Sequence, residues 1–223
     1  EDAFMSAQLP GSGNELVALF KLGEERHMRA LVSEGLVYLN SLGYFRKLEA
    51  SQVQADPDEA TGYCWQMPDS LLEIQVEETW QTLGRVNGGI RSHDELLNSL
   101  SVFCLHGRHR QDCVDPRVLA DLGLGATFVL FSNPNEFFRR LYRAAMEEYY
   151  QVQFGPVEYV DRFTYNGPMG AFRKFKERER ESEFRVVLSP GDDEPITSKL
   201  GSLQDVAIIG SADERLKLTP SGK

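Results

Sequence analysis

No apolar run in the 223 residues approaches the roughly 20 needed to cross a bilayer, so no membrane partner is expected. No secretory signal is read before Met5, and residues 1–4 read as a scar preceding it. Cysteine is scarce. Cys64, Cys104 and Cys113 are an odd number and too scattered for a disulfide framework, which points to a reducing, cytoplasmic setting. Positive charge is in short supply, with 24 Lys and Arg against 34 Asp and Glu and a net charge of −10. That balance disfavours coating nucleic acid through many phosphate contacts. There is no Gly-x-Ser-x-Gly, P-loop or Gly-x-Gly-x-x-Gly, which removes the common serine-hydrolase, ATPase and dinucleotide-fold signatures. Internal repeats, low-complexity tracts and Pro/Gly/Ser-rich linkers are also missing, so residues 5–223 read as one domain.

What is present suits a globular core: 41% hydrophobic residues, with 13 Phe. Residues 16–20 read as a buried strand. A helix opens at Glu24 and Glu25, carries Met28, Leu31 and Val32 on one stripe, and stops at Gly35 in a left-handed cap. Residues 36–40 return as a strand. Residues 50–70 lack periodicity and read as a surface loop, followed by strands at 71–77, 79–86, 99–105 and 126–132. The best-specified helix begins with Asn133 as cap, Pro134 in first position and Glu136 completing a capping box. Phe137, Phe138, Leu141, Tyr142 and Ala145 share one of its faces. Strands near 149–154 and 156–161, a short charged helix over 170–179, a strand over 181–188 and another over 205–209 complete the chain. Strands dominate without sustained βαβ alternation, so the expected class is α+β with a largely antiparallel, split sheet and a few helices.

The segment 181–188 carries the most chemistry. Alternation puts Phe184, Val186 and Leu188 on one face and Glu181, Glu183 and Arg185 on the other. A carboxylate held by a rigid strand can stabilise an oxocarbenium-like transition state. The competing reading is a solvent-facing Glu/Arg pair worth roughly 0–1 kcal/mol.

These residues also carry a resemblance. Leu19-Phe20-Lys21, Ser33-Glu34-Gly35-Leu36 and Val37-Tyr38-Leu39 resemble the opening strand–helix–strand of the ADP-ribosyltransferase-like superfamily. Ser182-Glu183-Phe184-Arg185 resembles its strand with the catalytic glutamate. The layout is similar to bacterial toxins that modify DNA bases. With Tyr44-Phe45-Arg46, the pattern also resembles proteins of bacterial defence loci. The resemblance covers about a third of the chain and implies NAD as substrate and transfer of ADP-ribose to a nucleic acid or protein. It assigns Glu183 and Arg46 to catalysis, and Lys21, Tyr38 and Arg185 to the cofactor. The chain departs from the family in two places: Lys21 stands where His or Arg is usual, and Tyr38 and Asn40 replace a Ser-Thr-Ser motif. Those departures suit an alternative, a non-enzymatic module on the same scaffold that binds a nucleotide, nucleic acid or protein. Glu183→Gln is expected to abolish activity with little change in melting temperature.

Three further groups are weaker. Cys104, His106, His109 and Cys113 could ligate zinc in kind, in a metal-stabilised nucleic-acid processing factor, but their spacing matches no zinc motif and zinc is not expected. Arg139, Arg140, Arg143, Arg173, Lys174, Lys176, Arg178 and Arg180 form either a patch for a single strand or solvated helix faces. Asp56, Asp58 and Glu59, like Asp192, Asp193 and Glu194, read as acidic turns without function.

Overall fold

The computed structural model describes residues 16–48, 54–109 and 123–211. The chain opens with strand β1 (Leu16–Gly23), helix α1 (Glu25–Glu34) and strand β2 (Leu36–Ser41). Gly35 ends α1 with φ of 69°, the left-handed cap its sequence position predicts. A helix absent from the sequence reading, α2 (Leu42–Lys47), follows directly, capped by the Ser41 hydroxyl accepting from the Tyr44 N–H.

Strands β3 (Thr61–Val76) and β4 (Thr79–His93) form a long hairpin. The expected surface loop over 50–70 is therefore corrected at its C-terminal end. Irregular pairing, with register shifts at three places, hides the strand period that the sequence would otherwise display. Next come α3 (Glu95–Ser99), β5 (Ser101–His109), β6 (Thr127–Phe131) and α4 (Pro134–Glu147). The Asn133 side chain accepts from the Glu136 N–H as a helix cap should. Strands β7 (Gln151–Pro156), β8 (Glu158–Val160), β9 (Gly167–Pro168) and β10 (Arg173–Phe175) lead to β11 (Glu183–Ser189), β12 (Ile196–Lys199) and β13 (Ala207–Ser211). The charged helix expected at 170–179 is instead two 3-10 turns, Gly170–Phe172 and Lys176–Glu181, on either side of β10.

The main sheet has eight strands. Its path runs β12-β2-β5-β1-β6-β13, with β11 on the other side of β5 and β7 beyond it, and every pairing within it is antiparallel. The fold is α+β with a predominantly antiparallel sheet. α1 and α4 cover one face, packing Met28, Leu31, Phe137, Phe138 and Leu141 on Leu105, Phe184 and Val186. α2 and the turn at Ala171 cover part of the other face, over Val102 and Val187. No helix among the described residues is long and apolar enough to cross a membrane.

One detail of the sheet, a split along an edge of β5, positions the cleft. Along one edge, β5 pairs with β2 only at Ser101 and Val102, and with β1 from His106 onward. Between those points the edge is split. Lys21 reaches into the split and its Nζ donates to the Cys104 carbonyl at 2.8 Å, supplying the bond that no neighbouring strand makes. The same ammonium lies 4.5 Å from the centre of the Phe103 ring.

Candidate functional site

A cleft of about 1880 Å³ opens at the split. Lys21, Tyr38, Asn40, Tyr44 and Phe45 line one wall, and Glu183, Arg185 and Lys174 lie at its floor. Its size exceeds the few hundred to 1,000 Å³ of typical small-ligand pockets. A second, much smaller pocket, of about 120 Å³, sits beside Asp56, Arg162 and Met169.

The wall follows from strand alternation. Val37, Leu39 and Ser41 turn into the protein, which leaves Tyr38 facing the cleft with 55% of its surface exposed. The floor is a buried network of charge. Lys174 Nζ donates to Glu183 Oε1 at 2.8 Å and to Glu181 Oε2 at 2.8 Å, and lies 3.2 Å from Glu59 Oε1 and 3.5 Å from Asp56 Oδ2. Arg185 Nε donates to Glu183 Oε2 at 2.7 Å, while its two terminal nitrogens reach the Glu59 carboxylate and one of them also the Ala171 carbonyl. Arg178 pairs with Glu181 and Asp56 and donates to the Ala55 carbonyl. Arg185, Lys174, Glu59 and Glu183 are all buried.

Ser182 makes this arrangement possible. It is left-handed, with φ of 43° and ψ of 51°, and ends the 3-10 turn so that Glu181 and Glu183 both reach Lys174. The Ser182 hydroxyl donates to the Gly107 carbonyl at 2.8 Å, and the Gly107 N–H donates to the Ser182 carbonyl at 2.7 Å. Two bonds thus hold a conformation that costs a non-glycine residue about 1–2 kcal/mol.

The charges set one another's protonation. Burial works against the ionised form of Glu183, but Arg185 and Lys174 outweigh it and hold the carboxyl well below the usual range. Burial likewise opposes the Lys174 ammonium, yet Glu183 and Glu59 keep it above the ordinary lysine value. Glu181 and Asp56 move up, chiefly through burial, as does Tyr159, whose hydroxyl accepts from the Glu183 N–H at 2.9 Å. Burial lowers Lys21 and pushes the Cys104 thiol up to about 11, which leaves that thiol protonated and unreactive at neutral pH.

The structure gathers Glu183, Arg185, Lys21 and Tyr38 around one cleft. It places Arg46 elsewhere, on α2, where Nη1 donates to Asn98 Oδ1 at 3.1 Å. Two readings of the acidic strand need correction. Its polar face is buried, not solvent-facing, and Glu181 precedes the strand. Loss of activity by Glu183→Gln at an unchanged melting temperature is no longer the expectation, because removing a carboxylate from a buried ion network leaves Lys174 and Arg185 undercompensated. Asp56 and Glu59, read as part of a surface turn, are buried ligands of the network.

The basic patch is also dispersed. Lys174 is internal, while Arg139 and Arg140 bond to Glu136 and Arg140 also to Asp205. Cys104 and His106 share a sheet face with Arg185 and Glu183, and His106 Nδ1 lies 2.7 Å from the Glu181 carbonyl. The side chain of His109 and all of Cys113 fall outside the described residues, as do residues 1–4. Among the described residues, no three His, Cys, Asp or Glu side chains converge as metal ligands.

Sequence reasoning read Lys174 only as part of a basic patch and Glu59 only as part of a turn, and it missed Tyr159 altogether. No local signal marked Lys174, which stands between Arg173 and Lys176 in a run of charged residues that looks solvated in sequence. Comparison with protein-family models, curated proteins and solved structures gives no match to this chain.

Proposed function

We propose that the cleft binds NAD and that the chain cleaves its N-glycosidic bond, passing ADP-ribose to a macromolecule, as the resemblance to ADP-ribosyltransferase-like proteins implies. The observation carrying this reading is Glu183, a carboxylate kept ionised at the floor of a cleft large enough for a dinucleotide. An ionised carboxylate offers about four acceptor positions. Lys174 and Arg185 take one on each oxygen, leaving capacity for a ribose hydroxyl. As the bond from C1′ to the nicotinamide nitrogen breaks, its electron pair neutralises the cationic ring and positive charge develops at C1′. Glu183 stabilises that charge. A nucleophilic oxygen or nitrogen of the acceptor then bonds to C1′ and releases its proton to solvent. Tyr38 offers a flat apolar surface to the leaving ring, and Lys21 a cation for the pyrophosphate.

The test is nicotinamide release by wild type and Glu183→Gln, with melting temperature measured alongside. Wild type should release nicotinamide, and the variant should lose 100-fold or more, as for removal of other transition-state charge stabilisers (roughly 10²–10³-fold). Tyr38→Ala separates chemistry from folding, because its ring is exposed. It should raise KM for NAD several-fold without lowering stability.

One observation favours the non-enzymatic alternative. Both Glu183 oxygens already face a cation, which weakens the field available to a developing positive charge. That reading predicts saturable nucleotide binding with no nicotinamide released.

A further inference from the structure

Among the described residues, five Lys and Arg side chains line the cleft, and four of them are engaged within the protein. Arg185 and Lys174 are locked into the buried network. Arg178 holds Glu181, Asp56 and the Ala55 carbonyl. Lys21 gives one of its three donors to the Cys104 carbonyl. Arg180 is the fifth. It is exposed, and among the described residues its side chain makes no ion pair or hydrogen bond. The turn that carries it explains why. Side chains three positions apart in a 3-10 turn lie over one another, so Arg180 stands over Glu177, and Glu177 already accepts from Arg162 Nε at 2.8 Å.

Strand pairing fixes where this guanidinium lies. The carbonyl of the next residue, Glu181, is 2.7 Å from His106 Nδ1. His106 in turn is the register partner of Glu183 on one side and of Phe20 on the other. Arg180 and Lys21 are thus each one residue from groups that meet at His106, beside the Glu183 floor.

We propose that Arg180 grips the diphosphate of the dinucleotide, a role that rests on the reading of the cleft as an NAD site. NAD joins a cationic nicotinamide ring to an anionic diphosphate. The Glu183 carboxylate suits the ring, and a free guanidinium three positions away in the chain suits the diphosphate. A guanidinium meets phosphate oxygens with two parallel N–H donors, and Arg180 breaks no internal pair to do so. Lys21 adds a second cation through its remaining donors.

Calorimetric titration of NAD, ADP and adenosine into wild type, Arg180→Gln, Arg180→Lys and Arg143→Gln tests this. Arg143 is exposed on α4, outside the cleft lining, and controls for the loss of one positive charge. Arg180→Gln should weaken NAD and ADP binding by about 10- to 100-fold. It should leave adenosine, which has no phosphate, and the melting temperature unchanged. Arg180→Lys should recover part of the loss, and Arg143→Gln should match wild type. Added salt should weaken NAD binding more in wild type than in Arg180→Gln. Equal NAD affinity in Arg180→Gln and wild type would overturn the role of Arg180 and leave the NAD reading standing. Arg180-dependent binding of ADP without binding of NAD would uphold the diphosphate grip and remove the NAD reading. A wild type that binds neither would overturn both.

Discussion

At the scale of single residues, Arg185 decides the most. It is 1% exposed and bonds at once to Glu59, Glu183 and a backbone carbonyl. Arg185→Met, close in volume and uncharged, strands two carboxylates and should cost about 3–5 kcal/mol in urea unfolding. Acid should act through Glu183. Its carboxyl is depressed in the folded state from an ordinary value of 4.5, so the stability it contributes is complete above that value and is lost as pH falls towards the folded pKa. Glu181 and Asp56, which are raised, ionise at a cost that acid relieves, so they oppose this loss. Where Glu183 dominates, the wild-type melting temperature should fall more steeply from about pH 6 to about pH 3 than that of Glu183→Gln. Equal slopes would show that Glu183 keeps an ordinary pKa. Little of this was legible beforehand. Glu59 and Arg185 stand 126 positions apart, and an acidic run around a proline looks the same in sequence whether it meets water or a buried guanidinium.

At the scale of elements, what is locally determined was legible. The α1 stop at Gly35 and the α4 start at Asn133 lie where cap chemistry puts them. A Cβ added at Gly35 would fall 2.0 Å from the Gly201 carbonyl oxygen, on a residue with positive φ. Gly35→Ala should therefore destabilise by about 2 kcal/mol or more in chemical denaturation, against about 1 kcal/mol for Asn133→Ala. Elements made by pairing were harder to see. β12 is four residues long and is held by β2, and the first half of β3 is specified by its partner β4 across shifts in register. α2 holds Gly43 and two aromatics, a composition with no helical preference, and it forms because Ser41 caps it and Leu42 is buried.

At the scale of the whole molecule, the main sheet is antiparallel and split, and the split creates both the cleft and its charged floor. The strand–helix–strand opening and the Glu183 strand meet there, although about 140 residues separate them in the chain. The sequence pattern foreshadowed the α+β class and the predominantly antiparallel sheet. The outer half of the β3–β4 hairpin was legible as strands over 71–77 and 79–86, whereas its inner half over 61–70 was not, because shifts in register hide the strand period there. The most direct measurement is calorimetric titration of NAD into wild type and Tyr38→Ala, with nicotinamide release followed in the same samples. Saturable binding by wild type, weakened in the folded variant and accompanied by release, is the predicted result. No heat of binding and no nicotinamide at millimolar NAD would contradict a dinucleotide cleft.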